Sequence, residues 1–453
     1  MNTTATARRR TRAPRTPSRP PRGAASLIVV MVLLFIVAMV AAYASRNLVF
    51  EQRTSANQYR GTLAFEAADA GIEWAITRLN DSRMDNACKA LAASAIDPVT
   101  PQPSFRERYL TIDPVTGMVT PVAGRLAGCV FDGTDWSCDC PESGDPNPVF
   151  TARGDGPYVA FWVRFSTPTP ILPGIVRVEV NGCTRNDPDC LRFGRQSQFG
   201  DGLAAHNAQL VLRSALGSVP VAAVTARGSV GLAGAAALNI TNDAPAGRGI
   251  TVHAGGGFNA PGATLTTLPG TPAARSVVTG DAGLALADLS PPLVPGTPAN
   301  YGVDRMFQRL FGVWPTSFAE ATGVVVVPCA PCSAADVNAA VRMHPGHAVL
   351  LDGVGPLTID ADIGSSTNPV AIVAGGSVRF DGAPVTVHGL VYSRAATWTT
   401  AGSGTIRGAA VAEGDLAAAG VLNVLHDGEL LTRLRVGTGT FVRSPGGWRD
   451  TAP

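Results

Sequence analysis

One unbroken apolar run constrains this chain more than any other feature. Ala24 to Ala44 reads AASLIVVMVLLFIVAMVAAYA, 21 residues without a charge. As a helix rising about 1.5 Å per residue it spans roughly 31 Å, the depth of a bilayer's hydrocarbon core. Residues 1–23 before it carry seven arginines and no acid. Positive charge on one flank holds that flank in the cytoplasm and sends the rest across. The helical pattern then continues. Arg46 to Asn80 contains no proline, and Phe65, Ala68, Ile72, Ile76 and Leu79 keep helical spacing. One helix is therefore expected from Ala24 to about Asn80, apolar all round at first and amphipathic later.

Several stretches carry a family resemblance: Arg22-Gly23-Ala24-Ala25-Ser26-Leu27, the apolar run, Glu51-Gln52-Arg53-Thr54-Ser55-Ala56-Asn57, Arg60, and Ala64-Phe65-Glu66-Ala67-Ala68-Asp69-Ala70. Together they resemble the class III signal and N-terminal helix of type IV pilins, in particular the PilX-type minor pilins. The resemblance implies cleavage between Gly23 and Ala24 by a prepilin peptidase, with methylation of the new amine of Ala24. It implies an inner-membrane protein whose C-terminal part is periplasmic before it enters a pilus at the cell surface. Its implied partners are the major pilin, other minor pilins and a tip adhesin. Most pilins have a glutamate five residues into the mature chain; here that position is Ile28. A carboxylate buried in a helical bundle is costly unless paired, and a subunit without one suits a tip or priming role. The K-type minor pseudopilins of type II secretion share this lack and are the alternative within the same logic. A plain membrane anchor shows the same apolar run, and Ala42-Tyr43-Ala44 before Ser45 mimics a secretory cleavage site.

Removing seven leader arginines takes the formal charge from +2 to −5, which is no footprint for nucleic acid. Fifty glycines and 35 prolines favour β structure with many turns over a helical bundle. The eight cysteines (Cys88, Cys129, Cys138, Cys140, Cys183, Cys190, Cys329 and Cys332) all follow the apolar run. For an exported chain, disulfides are the expected state. Cys183 and Cys190 flank a turn and form the most direct pair. Cys329-Ala330-Pro331-Cys332 has redox-motif spacing without the βαβ context, and reads as a local bridge. Zinc at Cys129, Cys138, Cys140 and another ligand is an alternative that stands against the lack of a repeated CxxC pair there.

The expected fold is α+β: a long N-terminal helix, an antiparallel pilin-like sheet, then a parallel solenoid-like region. The boundaries read as a leader at 1–23, the assembly helix at 24–80, a disulfide-tied pilin-like region at 81–215, and a solenoid at 216–453 with an insertion at 264–365. Tyr158 to Phe165, Ile175 to Val180 and His206 to Ala215 are strand candidates for the sheet. The solenoid expectation rests on a repeat, apolar-x-small-x-small-x-apolar-x-x-x-Gly. It starts at Val224, Val252, Ile372 and Ala410, with a looser copy at Tyr392. Residues two apart share a strand face, so small and large side chains alternate along a narrow interior. Within 264–365, helices are expected at Asp304 to Phe311 and from a capping box at Ser333–Asp336 to about Met343, with a strand at Val324 to Val327. The C-terminal stretch from Leu430 to Asp450 resembles the close of long PilX-type proteins and is expected to cap the last coil.

No catalytic constellation, metal set or cofactor motif stands out, so the chain reads as a structural or display protein, not an enzyme. His344-Pro-Gly-His347 is a weak metal spacing, Asp132-Gly-Thr-Asp135 a truncated calcium series, and Asp360-Ala-Asp362 a pair of the kind some solenoid polysaccharide enzymes use. A membrane-anchored periplasmic β-solenoid enzyme is thus the alternative from another class.

Overall fold

A computed structural model describes residues 22–97, 100–149, 158–184, 202–234, 236–285, 301–353, 355–381 and 384–451. The chain divides into two units, Met1–Tyr59 and Arg60–Pro453. The described part of the first unit is helical and belongs to helix α1 (Arg22–Leu79). From Ser26 to Tyr59 every residue is exposed.

In the second unit, the Arg60–Leu79 part of α1 lies on a six-stranded antiparallel sheet. The strand order is Gly439–Thr451, Leu203–Ser214, Ile175–Cys183, Val159–Ser166, Ala127–Phe131, Trp136–Asp139. The strand from Ile175 alternates as expected, with Val176, Val178 and Val180 fully buried. On the helix the buried stripe is Ala64, Ala68, Ile72, Ala75 and Leu79. Phe65, expected in that stripe, is instead 42% exposed and stands edge-on to His206 at 4.2 Å. The cause is close approach: a Cβ on Gly182 would lie 2.1 Å from the Ala64 carbonyl oxygen. Only alanine and glycine fit at that contact, so the phenylalanine is displaced to the rim. Helix α2 (Phe105–Tyr109) opens with the reciprocal capping box of Ser104 and Glu107, and buries Phe105 and Tyr109 in the same core.

The C-terminal stretch corrects an expectation. Gly439–Thr451 does not cap a coil; it pairs antiparallel with Leu203–Ser214, Gly439 opposite Ser214, as the outer strand of the pilin-like sheet. Phe441 needs a core to bury its ring, and the strand leaving the sheet at Ser214 supplies the neighbour that places it there. Phe441 is fully buried in that sheet's core. The parallel region is thus inserted between two adjacent strands of one sheet.

That region is a parallel β-helix built from two blocks stacked out of chain order. The first block coils through Val224–Ala226, Val230–Leu232 and Ala237–Asn242, then Val252–Ala254, Phe258–Asn259 and Thr264–Thr267, and ends at Val277–Val278. The second block runs from Val324–Pro328 through Ala348–Asp352, Val370–Ala374, Val385–Ser393 and Ser403–Ala412 to Val421–His426. The last coil of the second block stacks on the first coil of the first: Ala410, Leu416 and Val421 pair with Val224, Val230 and Ala237. The expected interruption at 264–365 therefore includes coils at 264–278 and from 324 onward, and among the described residues only 279–285 and 301–323 leave the stack. The coils from 324 escape the repeat because Val327 and Leu351 stand in register where it has the small Ala374, although Gly353 keeps a tight corner, its Cβ position 2.2 Å from the Cys329 carbonyl oxygen. The helix Ala334–Met343 also takes the place of a strand in the first of them.

The looser repeat copy is one residue out of register. Ile372 pairs with Val391, not Tyr392. A single-residue slip reverses which face a side chain takes, so Val391 points into the interior cluster and Tyr392 outward.

The crossing segment carries α3 (Tyr301–Phe311) and α4 (Pro315–Ala319). Next comes α5 (Ala334–Met343), opened by a Ser333–Asp336 capping box as expected from the sequence. Helix α6 (Gly428–Gly437) follows the last coil strand. Phe307, Phe311 and Phe318 of the crossing segment, with Leu431 and Leu434 of α6, pack on the outer side of Val373, Tyr392 and Val411. Covered on both sides, Val370–Ala374 is buried at every position.

Candidate assembly helix and module junction

The apolar helix is the first candidate site. Leu27 to Phe50 presents large hydrophobics around the whole circumference, with Ile28 61% and Phe35 62% exposed. It is the one helix among the described residues long and apolar enough to cross a membrane. A helix apolar on all sides needs lipid or other helices around it. Gly23 and Ala24 fall within α1, while residues 1–21 lie outside the described residues.

The cysteines stand as bridges. Cys88 pairs with Cys140, tying the segment after α1 to the sheet's far edge, and Cys129 with Cys138, its register partner on the neighbouring strand. Cys329 and Cys332 bridge each other across one corner of the β-helix. Cys183 is also disulfide-bonded, and Cys190 lies outside the described residues. Among the described residues no group of three or more His, Cys, Asp or Glu side chains could hold a metal. The Asp132 carboxylate instead accepts the Thr134 and Asp135 backbone N–H groups, both at 2.8 Å, and closes a turn. Asp362 accepts the Thr386 N–H at 2.7 Å, a bond between successive coils.

The junction between the pilin-like module and the β-helix is a site the sequence did not reveal. The two modules keep separate apolar cores, and polar groups join them. Arg106 on α2 is only 5% exposed. Its Nε donates to the Leu79 carbonyl oxygen at 3.2 Å, Nη1 to Gly346 at 3.2 Å and Nη2 to Gly439 at 2.8 Å. The guanidinium also lies over the Phe441 ring at 5.0 Å. One cation thus binds the end of α1, a turn of the β-helix and the start of the last strand. Burial lowers its pKa to about 10, opposed in part by Glu107, and the group stays charged at neutral pH. Asn80 exchanges two hydrogen bonds with the Phe441 backbone, at 2.7 and 2.8 Å. Arg83 donates to the Arg342 carbonyl oxygen at 2.6 Å and to Glu107 at 2.8 Å.

His347 completes the junction. Its two ring nitrogens lie 3.1 Å from the carbonyl oxygens of Asn80 and Pro345. Burial, then the charge of Arg106, push its pKa down to about 4. The neutral ring carries one N–H and so can serve only one of those carbonyls. His344 and His347, paired in the sequence by spacing, face a structural role here. The Ser104–Glu107 capping box marks the start of α2 in the sequence, but nothing there signals the burial of Arg106.

A helix apolar on every side, continuing as an amphipathic helix on an antiparallel sheet, defines a type IV pilin-like protein. A family model described as PilX N-terminal matches residues 22–73, a segment that lies within α1. Among solved structures the chain is similar to the competence-associated pilin ComZ from Thermus thermophilus. Identity is 11%, coverage 86% of this chain and 97% of that one, and the TM-score is 0.20, too low to indicate a shared fold. No curated protein matches the chain.

Proposed function

We propose that this chain is a minor pilin. A prepilin peptidase cleaves it between Gly23 and Ala24, and Ala24 becomes the methylated N-terminus. The apolar helix holds it in the inner membrane, then packs among the helices of the major pilin and other minor pilins at a pilus tip. The β-helix is the displayed part, for adhesion or for holding a tip adhesin. The observation that carries this reading is the PilX N-terminal match over a helix that is apolar and exposed on every side. Ile28 at the place of the usual glutamate supports a tip or priming position.

Mass spectrometry of the mature N-terminus tests it. A chain beginning at methylated Ala24 is expected. A start at Ser45, or an intact leader, overturns the reading in favour of a secreted or anchored protein. A deletion strain that loses pili but not type II secretion separates pilus from pseudopilus.

A further inference from the structure

A cleft of 320 Å³ opens between α1 and the edge strand Trp136–Asp139. Trp74, Trp136 and Phe161 form its walls, with Arg78 and Lys89 also lining it. The ring centroids of Trp136 and Trp74 lie 5.0 and 5.5 Å from that of Phe161. Trp136 is 44% exposed although its ring belongs to this aromatic cluster. Trp136 exposed and Trp74 half-buried over the buried Phe161, beside a cation, are the composition of an interface anchor, not of a finished surface.

The cations decide what fits. Arg78 already meets Asp81 at 2.6 Å. Lys89 is exposed and, among the described residues, its ammonium makes no hydrogen bond or ion pair. It is also the sole lysine in the sequence, the other 35 of the 36 basic residues being arginine. Its backbone is fixed by a short turn: the Lys89 N–H donates to the Asp85 carboxylate at 2.9 Å, and Cys88, disulfide-bonded to Cys140, holds a φ of 58°. A compact ammonium on a flexible stem suits a single carboxylate, where an arginine fork suits a bidentate one. The volume holds one or two side chains and no folded element.

We propose that this cleft seats a segment of a neighbouring pilin subunit, an apolar side chain against Trp74 and Trp136 with an adjoining carboxylate on Lys89. The proposal rests on the minor-pilin reading, because it takes the partner from subunits that lie beside α1.

The unique lysine makes the test direct. Full-length protein in piliated cells is treated with a zero-length carbodiimide, which joins an amine to a touching carboxylate, and the peptides are analysed by mass spectrometry. An amide from Lys89 to an aspartate or glutamate of another pilin subunit is expected. Its yield should fall at least tenfold in Trp136→Ala. Lys89→Glu, at an exposed position that leaves the fold intact, should lower recovery of the chain in sheared pili by a similar factor. Coupling of Lys89 only within its own chain or to non-pilin proteins overturns the proposal, as does an intersubunit yield unchanged by Trp136→Ala. The N-terminus read from the same sample separates the two failures. Methylated Ala24 without the cross-link sinks the cleft alone, and an unprocessed N-terminus sinks both.

Discussion

Ala410 lies opposite Val224 in a parallel ladder, and the Ala410 N–H donates to the Ala223 carbonyl oxygen at 2.9 Å. The seam they form joins the latest coil in the chain to the earliest. Arg227 strengthens it by donating to the Glu413 carbonyl oxygen at 2.7 Å, and Asp415 accepts the Ser229 N–H at 2.7 Å. The β-helix is therefore finished only when residues near 426 have been made and folded.

The seam predicts a specific cross-link. Ala237 and Val421 are register partners across it, and Val421 is 38% exposed. With Ala237→Cys and Val421→Cys in one chain, a short thiol-specific cross-linker should join the two sites in folded protein. No free native cysteine competes among the described residues. A stack in plain chain order would keep these positions coils apart. Failure to link them in correctly folded protein would refute the permuted order.

A second prediction concerns the corners. Gly408 has a φ of 140°, and a Cβ there would lie 2.0 Å from the Gly389 carbonyl oxygen. Gly389 repeats the geometry one coil earlier, with a Cβ 1.9 Å from the Val370 carbonyl oxygen. Gly408→Ala should destabilise the β-helix by on the order of 3 kcal/mol, read as a lower urea midpoint. Gly437→Ala, whose Cβ would meet nothing within 4 Å, should be neutral or stabilising by up to ~1 kcal/mol.

These corners also explain what the sequence disclosed and what it hid. Val224, Val252, Ile372 and Ala410 were legible because a small-residue corner follows each at fixed spacing. The coils at Val324 and Ala348 were not, because Val327 and Leu351 stand at the small position that Ala374 holds in the repeat, and the first puts a helix in place of a strand. Stacking order was beyond reach, since parallel pairing of Val224 with either Val252 or Ala410 satisfies the same pattern, and both occur. The apolar helix was the most legible element, because 21 uncharged residues admit few environments. Arg106 was the least legible. A basic residue on a five-residue helix reads as surface, and only the convergence of Leu79, Gly346 and Gly439 buries it.

His347 predicts a pH dependence. The fold holds its ring neutral by lowering the pKa from 6.5 to about 4. Between those values the unfolded chain binds a proton that the folded chain refuses. The stabilisation is thus complete above pH 6.5 and falls as the pH drops towards 4, by up to on the order of 3 kcal/mol. Burial lowers His344 and His426 in the same direction, whereas burial raises Glu413 and opposes the trend. His347→Asn should flatten the slope of stability against pH in this window, measured by urea unfolding at pH 7, 6, 5 and 4.5. An unchanged slope would mean that His347 is protonated as readily in the fold as in the unfolded chain.

The last prediction tests whether the junction carries load between the modules. Arg106→Met keeps a long apolar stem under Phe441 but removes the donors to Leu79, Gly346 and Gly439. A buried acceptor left unmade costs about 1–3 kcal/mol, so a total loss of at least about 3 kcal/mol is expected. Arg106→Lys restores charge without the planar fork and should recover only part of it. The loss should be local before it is global. Amide exchange should accelerate first at Gly439 to Phe441, whose strand closes the pilin-like sheet, while Val373, Val391 and Val411 in the β-helix keep their protection. Equal acceleration in both modules would mean that they fold as one body and that Arg106 is merely one contact among many. Unchanged exchange at Gly439 would remove it from the junction altogether. The predicted order follows from the separate apolar cores, which this polar knot ties together through Leu79, Gly346 and Gly439.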